Sequence, residues 1–158
     1  LKTFITKVLV MLLSWSIIYD LNLSFIVKLD TFLSTSTVNI NALIFKIFNL
    51  PFSHSGRVIS LGMGSGIEVA DGCNILEELG IYICFIIAYK GPKSSMIKFL
   101  FFGTIILFML NVIRIFLLII INAHLANYFN LFHLSSSYIF FHPFILLMWY
   151  KWTQIEPK

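Results

Sequence analysis

Charge is scarce in this sequence. Only 11% of its 158 residues are Asp, Glu, Lys or Arg, whereas 59% are hydrophobic and the mean hydropathy is +0.94. A soluble domain carries about a quarter charged residues, which cover its surface. The eleven Lys and Arg residues are scattered rather than clustered on a helix face, so nucleic acid is not expected as a partner. This composition excludes a soluble enzyme and predicts an integral membrane protein.

Cysteine and proline are scarce too, with two and four residues. Cys73 and Cys84 are eleven residues apart on what we predict to be one helix, about 16 Å along its axis. A disulfide requires Cα atoms within roughly 7 Å of each other. Both cysteines are therefore expected to be free thiols.

Four hydrophobic runs predict membrane-spanning helices, at about residues 4–19, 73–89, 98–121 and 135–152. No small-x-small cleavage site follows the first run, so we expect an uncleaved span rather than a signal peptide. Pro143 is expected to kink the last span. Residues 1–158 are thus predicted to form a single all-α membrane domain with about four transmembrane helices.

The segment between the first two spans, residues 20–72, is more polar and is predicted to be extracytoplasmic. Its residues 30–50 place apolar side chains at helical spacing beside Ser, Thr and Asn, which is typical of an amphipathic interfacial helix. Two strand-like runs, Arg57–Leu61 and Ile67–Ala70, flank the glycine-rich Gly62–Gly66 and predict a short β-hairpin. The same glycines suggest a phosphate-binding loop, but the fuller motif that such a loop requires is missing.

Lysine is distributed unevenly across the predicted loops. The termini and the 90–98 loop contain seven lysines: Lys2, Lys7, Lys90, Lys93, Lys98, Lys151 and Lys158. The opposite side contains three cations, Lys28, Lys46 and Arg57. The positive-inside rule then places both termini in the cytoplasm. Cys73 and a predicted loop at 122–134 would then face outward, away from the cytoplasm.

Three chemically distinctive residues are predicted to share one level of the membrane. Counting 1.5 Å per residue from the cytoplasmic lysines puts Arg114 at about 24 Å, Cys73 at about 25 Å and His133 at about 27 Å. His142 lies deeper, at about 14 Å by the same count. An arginine within an apolar span is a functional candidate, because its insertion costs about 2.5–3.5 kcal/mol. Cys, Arg and His therefore converge near the outer boundary of the bilayer.

These three side chains fit nucleophilic catalysis. A thiol becomes a strong nucleophile as the thiolate, which a nearby cation or a helix N-terminus favours. Cys73 is predicted at the start of a helix capped by Asp71 or Asn74. His133 would accept its proton, and Arg114 would stabilise the thiolate or an oxyanion. Backbone N–H groups at the helix start would serve the oxyanion as well.

Other interpretations of these residues remain open. In one, Arg114 pairs with Glu77 or Glu78 simply to join two helices. In another, Cys73, His133 and Glu77 bind zinc, although no closely spaced ligand pair is present, or the chain binds haem. In a third, the chain is a non-catalytic small membrane subunit, transporter or scaffold whose Arg114 binds an anionic ligand or lipid.

Three blocks of sequence surround the candidate residues: Ile67-Glu-Val-Ala-Asp-Gly-Cys73-Asn, Leu110-Asn-Val-Ile-Arg114-Ile and Phe132-His133. In this order, over roughly residues 55–152, they resemble the exosortase/archaeosortase family of membrane cysteine transpeptidases. The chain is similar to the short bacterial members. It departs from the pattern at Ile75, where many members have glycine two residues after the cysteine, and in the adjacent Glu77 and Glu78.

The resemblance implies roles for individual residues. Cys73 would be the nucleophile, Arg114 the stabiliser of substrate or intermediate, and His133 the acid/base. His142 is the alternative to His133. Three further residues are expected to bind substrate or support the site: Asn74, Asn111 and Glu77. The resemblance implies no cofactor and no metal.

The resemblance also implies a class of substrate. Secreted proteins with a C-terminal sorting tail, made of a short motif, a hydrophobic span and a basic end, would be cleaved near the outer face of the membrane. Cleavage would form an acyl-enzyme, which an amine, a lipid or polysaccharide acceptor, or water would resolve. Membrane lipid is expected around the protein.

Overall fold

The structure, a computed structural model, describes residues 2–62 and 66–155. Within them the chain is mostly helical, with one three-stranded antiparallel sheet. The elements in chain order are α1 (Lys2–Asp20), α2 (Ser24–Ile47), β1 (Phe52–Ser55), β2 (Val58–Leu61), β3 (Ile67–Glu68), α3 (Leu76–Ala88), α4 (Lys93–His124), a 3₁₀ turn (Ala126–Tyr128), α5 (Phe129–Phe140) and α6 (His142–Thr153).

Three segments of the described chain are long and apolar enough to span a membrane: Lys2–Asp20, Lys93–His124 and Ala126–Thr153. The predicted spans 4–19 and 98–121 lie within the first two. The third segment divides into α5 and α6 at Phe141, two residues before Pro143. The kink expected at this proline stays a prediction. The prediction of a mainly helical membrane protein is therefore confirmed.

The second predicted span, 73–89, is wrong at its start. α3 begins at Leu76, and its 13 residues are about 20 Å long, short of a bilayer core of roughly 30 Å. The backbone is left-handed at Ile75, with φ 78°, which keeps the preceding residues out of the helix. Cys73 and Cys84 therefore do not share a helix, although both are free thiols. A fourth transmembrane helix is not confirmed.

The predicted loop 122–134 is mostly helical, which corrects the sequence-based boundary of the last span. α4 continues to His124, and α5 begins at Phe129, ahead of the predicted start at residue 135. The connection between His124 and Phe129 is short, and it contains no glycine or proline that would produce a longer loop. As a consequence His133 lies on a helix rather than in a loop.

Helix α2 has its polar side chains turned inward. Four of them are buried: Asp30, Ser34, Thr37 and Asn41. Asn41 Nδ2 donates a hydrogen bond to the Val112 carbonyl of α4 at 3.3 Å. Other positions of α2 expose large apolar side chains, among them Phe32, Leu43 and Ile47. The predicted amphipathic helix is thus present with its polar face in the protein, and its place at the membrane interface stays a prediction.

The sheet lies against α2 and α4 and positions the segment that leads to Cys73. β1 and β3 both pair antiparallel with β2, so the strand order is β1-β2-β3. Ile59, Ile67 and Val69 pack with Ile115 of α4 in one buried cluster. Because this cluster fixes β3, the chain that follows β3 reaches the same place beside α4.

The two predicted strand-like runs, Arg57–Leu61 and Ile67–Ala70, contain β2 and β3 of this larger sheet, but a hairpin that joins them is not confirmed. The sequence did not indicate β1, because its residues Phe52-Ser-His-Ser55 are mostly polar and exposed. The middle of the predicted glycine turn, residues 63–65, lies outside the described residues. The proposed phosphate-binding loop includes Gly64, so it also lies outside the described residues.

Candidate active site

Cys73 and His133 are in direct contact. Cys73 Sγ is 3.1 Å from His133 Nε2, a hydrogen-bonding distance. Cys73 is half-buried in the loop between β3 and α3, and His133 is on the second turn of α5. The imidazole stacks on the Phe129 ring, with 5.7 Å between the ring centroids. The contact joins a thiol to an imidazole whose orientation is fixed by packing.

Arg114 lies beside this pair and is only 2% exposed. Its Nη1 donates to the Cys73 carbonyl at 3.4 Å, and its Nε donates to the Ser136 hydroxyl at 2.8 Å. The guanidinium carbon is 5.6 Å from the centroid of the Phe141 ring, within the range of cation–π contact. The structure therefore brings Cys73, His133 and Arg114 together, with the cation buried and held by several groups.

Ser136 connects Arg114 to His133 and is a site residue that the sequence did not indicate. Its hydroxyl accepts the hydrogen bond from Arg114 and donates one to the His133 carbonyl at 3.0 Å. A serine three residues after a histidine on one helix was the available signal, because such a hydroxyl often bonds to the carbonyl one turn earlier. Ser136 thereby fixes the guanidinium relative to α5.

Asn74 anchors the loop that carries Cys73. Its Nδ2 donates to Asp30 Oδ1 at 2.5 Å and lies 3.3 Å from the Ser34 hydroxyl. Its Oδ1 accepts the Leu76 amide at 3.1 Å, so one N–H at the start of α3 is already used. Asp30, which is 2% exposed, was missed because a single aspartate in a polar segment gives no positional signal. The loop is thus fastened to α2.

Ile75 has an unusual backbone conformation two residues after the nucleophile candidate. Its φ of 78° is in the left-handed region, which β-branched residues rarely adopt. Its side chain is fully buried in a cluster with Tyr82 and Phe141. Glycine, common here in the family that the sequence resembles, adopts this conformation freely. Strained residues of this kind concentrate at functional sites.

A cavity of about 610 Å³ adjoins Cys73, His133 and Arg114. Its other walls include Glu77, Glu78, Tyr138 and His142. The buried Glu78 Oε2 has no hydrogen-bond partner among the described residues. Among the described residues, the ion pair found is Arg57–Asp71. Neither Glu77 nor Glu78 is within ion-pair distance of Arg114. The interpretation of Arg114 as a simple helix-joining ion pair is therefore wrong for the described residues.

A second cavity, of about 380 Å³, also adjoins Cys73 and His133. Its walls come from β3, α4 and α5: Gly66, Glu68, Ala70, Leu118 and Phe129 are among them. Arg114 lines the larger cavity and not this one. The thiol and imidazole thus stand where two cavities meet.

Two predicted residues do not contact the thiol in the described structure. His142 lies in the larger cavity at the start of α6, whereas His133 makes the contact, so the geometry favours His133. Asn111 is buried between α4 and α2, where its Nδ2 is 3.5 Å from Thr37 Oγ1. A supporting role for Asn111 at the site stays a prediction, and its contacts join two helices.

The described residues contain no group of three His, Cys, Asp or Glu side chains placed to hold a metal ion. Glu77 lines the larger cavity but does not complete a ligand set with Cys73 and His133. The zinc interpretation therefore has no geometric support in this part of the chain.

Membrane-length helices around a buried arginine and a Cys–His pair define a membrane protein with a thiol–imidazole site. The family model described as transmembrane exosortase matches residues 1–150 of this chain. The chain belongs to the exosortase family, and the resemblance seen in the sequence is confirmed. No curated protein and no solved structure matches it.

Proposed function

We propose that this exosortase-family protein is a membrane-embedded cysteine transpeptidase or protease that cleaves the C-terminal sorting tails of secreted proteins. The observation that carries the proposal is the 3.1 Å distance between Cys73 Sγ and His133 Nε2. A thiol within hydrogen-bonding reach of a base is the arrangement that nucleophilic catalysis requires. The two cavities beside the pair leave room for a peptide on either side of the sulfur.

Acylation begins with transfer of the Cys73 proton to His133 Nε2. The sulfur attacks the scissile carbonyl carbon, and the π electrons of that carbonyl move onto its oxygen. The imidazolium then gives its proton to the leaving nitrogen as the C–N bond breaks. The products are a thioester on Cys73 and a released tail with a new amino terminus.

Arg114 supplies positive charge to these steps. Its contacts with the Cys73 carbonyl and the Ser136 hydroxyl use two of the five N–H donors of a guanidinium. A fixed donor in a buried site stabilises developing charge far better than one in water. We assign to Arg114 the stabilisation of the thiolate and of the oxyanion in the tetrahedral intermediate.

Deacylation reverses the roles of the same groups. An amine, a hydroxyl group of a lipid or polysaccharide, or water attacks the thioester carbon and gives its proton to His133. The C–S bond breaks, and the thiolate leaves and takes the proton back. We place this chemistry at the outer face of a bacterial cytoplasmic membrane with both termini inside, because lysine is concentrated on the terminal side.

The experiment compares Cys73→Ala with Cys84→Ala, since Cys84 is a second thiol that lines neither cavity. An exported reporter with a C-terminal tail from the host's own exported proteins is co-expressed with each variant. We expect Cys73→Ala to insert into the membrane and to leave the tail uncleaved, and Cys84→Ala to process it. Continued processing by Cys73→Ala would refute the proposal and favour a non-catalytic scaffold that uses Arg114 to bind an anion.

The orientation is tested separately in intact cells with a membrane-impermeant maleimide. A Cys84→Ala protein retains Cys73 as its one thiol. Labelling of Cys73 before lysis supports an outward-facing site. Labelling that occurs only after lysis contradicts the orientation and leaves the chemistry to be judged by the processing experiment.

A further inference from the structure

Strand β3 has one unpaired edge, and this edge faces the smaller cavity. β3 pairs with β2 alone in the described sheet, so its other side carries no strand. Val69, the residue after β3, directs both backbone groups toward Arg57, the residue before β2: its N–H donates to the Arg57 carbonyl at 2.9 Å, and its C=O accepts from the Arg57 side chain, at Nε, at 3.0 Å. Successive residues of a strand point their backbone groups to opposite sides, so those of Glu68 point away from β2.

The smaller cavity forms a groove along this edge, and the groove ends at Cys73 and His133. Gly66, Ile67, Glu68 and Ala70 line it on one side, and Leu118 and Phe129 are among the residues that line it on the other. Cys73 and His133 belong to its lining as well. A peptide lying in the groove would therefore reach the sulfur directly. An extended peptide pairs readily with an exposed strand edge, because the edge offers unpaired backbone donors and acceptors. Here the outward backbone groups are those of Glu68, since the Ala70 carbonyl already accepts the Cys73 amide at 3.0 Å.

The two cavities lie at different heights along the membrane-length helices. On α5, Phe129 of the groove precedes His133, and Tyr138 of the larger cavity follows it. The groove thus adjoins the start of the Ala126–Thr153 segment, while Tyr138 is closer to its middle. A substrate with a hydrophobic tail must send that tail toward the middle of the bilayer.

We infer that the free edge of β3 binds the segment of the substrate that precedes the scissile bond, as an added extended strand, while the larger cavity takes the first residues of the tail. The inference rests on the proposed function, since it assigns the two sides of the bond that Cys73 would cleave. The two sides of the nucleophile then differ in chemistry: backbone pairing on one side, and a cavity with Glu78 and Arg114 on the other.

Photocrosslinking tests the assignment in a protein that cannot turn the substrate over. A benzophenone amino acid replaces Phe129 or Tyr138 in a Cys73→Ala background, with the tailed reporter co-expressed. Both positions carry an aromatic side chain that is not fully buried, so the replacement is matched. Phe101, an exposed aromatic residue that lines neither cavity, is the control position.

We expect position 129 to capture residues before the scissile bond, position 138 to capture the tail, and position 101 to capture neither. Capture of the tail at position 129, or of the preceding segment at position 138, would overturn the inference. If Cys73→Ala still processes the reporter, the proposed function is refuted. That result is distinct from the crosslinking results above, which would refute only the assignment of the two cavities.

Single amide-to-ester replacements in a synthetic tail peptide provide a second measurement, with the purified wild-type protein in liposomes. Each ester removes one N–H donor of the substrate. We expect KM to rise about fivefold at the residue whose N–H pairs with the Glu68 carbonyl and to stay unchanged at the residues on either side of it, since one hydrogen bond is lost at the sensitive position. An equal effect at every position, or no effect at any, would contradict strand pairing.

Discussion

Cys73 and His133 are 60 positions apart in the chain, yet the sulfur of one lies 3.1 Å from Nε2 of the other. Cys73 is held by a loop that Asn74 fastens to α2, and His133 is held on α5. Arg114 of α4 bonds to the Cys73 carbonyl and, through Ser136, to α5. The contact therefore depends on elements that are far apart in sequence, so substitutions away from the sulfur are expected to affect the reaction.

The first prediction concerns the histidine that serves as acid and base. His133→Ala removes the group that contacts the thiol, and we expect tail processing to fall by about 10²- to 10⁴-fold. His142→Ala should reduce it much less, because His142 lines the cavity without contacting the sulfur. The exposed His124, at the end of α4, provides the control His124→Ala. Initial rates of reporter cleavage in membranes measure all three. A larger loss for His142→Ala than for His133→Ala would contradict the assignment.

The second prediction concerns the shape of the buried cation. Arg114→Lys keeps the charge but cannot make both directed hydrogen bonds, to the Cys73 carbonyl and to Ser136. We expect it to lower kcat by about 10²-fold, close to the effect of losing one oxyanion donor. Ser136→Ala should give a smaller loss in kcat, since it removes only one support of the guanidinium. Full activity of Arg114→Lys would show that charge alone is sufficient.

The third prediction is a pH dependence of stability that originates at Asp30. Burial raises the pKa of this carboxyl above 3.8, and the hydrogen bond from Asn74 only partly opposes the shift. Between 3.8 and the raised value, the folded protein binds more protons than the unfolded chain, so stability falls as pH rises through this interval. Asp30→Asn keeps an oxygen to accept the Asn74 hydrogen bond and removes the titration.

Thermal unfolding in detergent from pH 4 to pH 7 measures this effect. We expect the stability of the wild type relative to Asp30→Asn to decline with rising pH and then to level off above the raised pKa. The exposed Thr31, whose hydroxyl donates to the Val27 carbonyl of the same helix, gives the control Thr31→Ala, whose difference from the wild type should not vary with pH. A wild-type protein that gains stability relative to Asp30→Asn as pH rises would contradict the prediction.

The long helices α1 and α4 were predictable from the sequence. The runs that became α1 and α4 are continuous and apolar, so length alone identified them. The rise of 1.5 Å per residue placed Arg114 along α4. The matching count for Cys73 assumed a helix that starts at residue 73, whereas α3 starts at Leu76. Arg114 still donates a hydrogen bond to the Cys73 carbonyl, so the two residues are neighbours although that assumption was wrong. Charge and hydropathy patterns predict which segments form long helices and how far along the helix axis a residue lies. They do not predict which side chains meet between helices.

The local backbone around the nucleophile was not predictable in the same way. The start of α3 depends on the left-handed Ile75 and on bonds between Asn74 and α2, which are contacts between distant parts of the chain. Asp30 lies among other polar residues of α2, and Ser136 is the middle one of three consecutive serines, so the sequence does not distinguish either of them. Their roles appear only when the partners are in place. The helical residues after Phe129 were taken for a loop because their aromatic and polar mixture lacks a clear period.

The central claim is tested most directly by trapping the acyl-enzyme. Purified protein in liposomes is mixed with a tailed substrate, quenched in acid within the first turnovers, digested and examined by mass spectrometry. We predict that the fragment preceding the scissile bond is attached to the peptide containing Cys73, and that hydroxylamine, which cleaves thioesters, releases it. Attachment of that fragment to another residue, or undiminished cleavage by Cys73→Ala, would contradict the account.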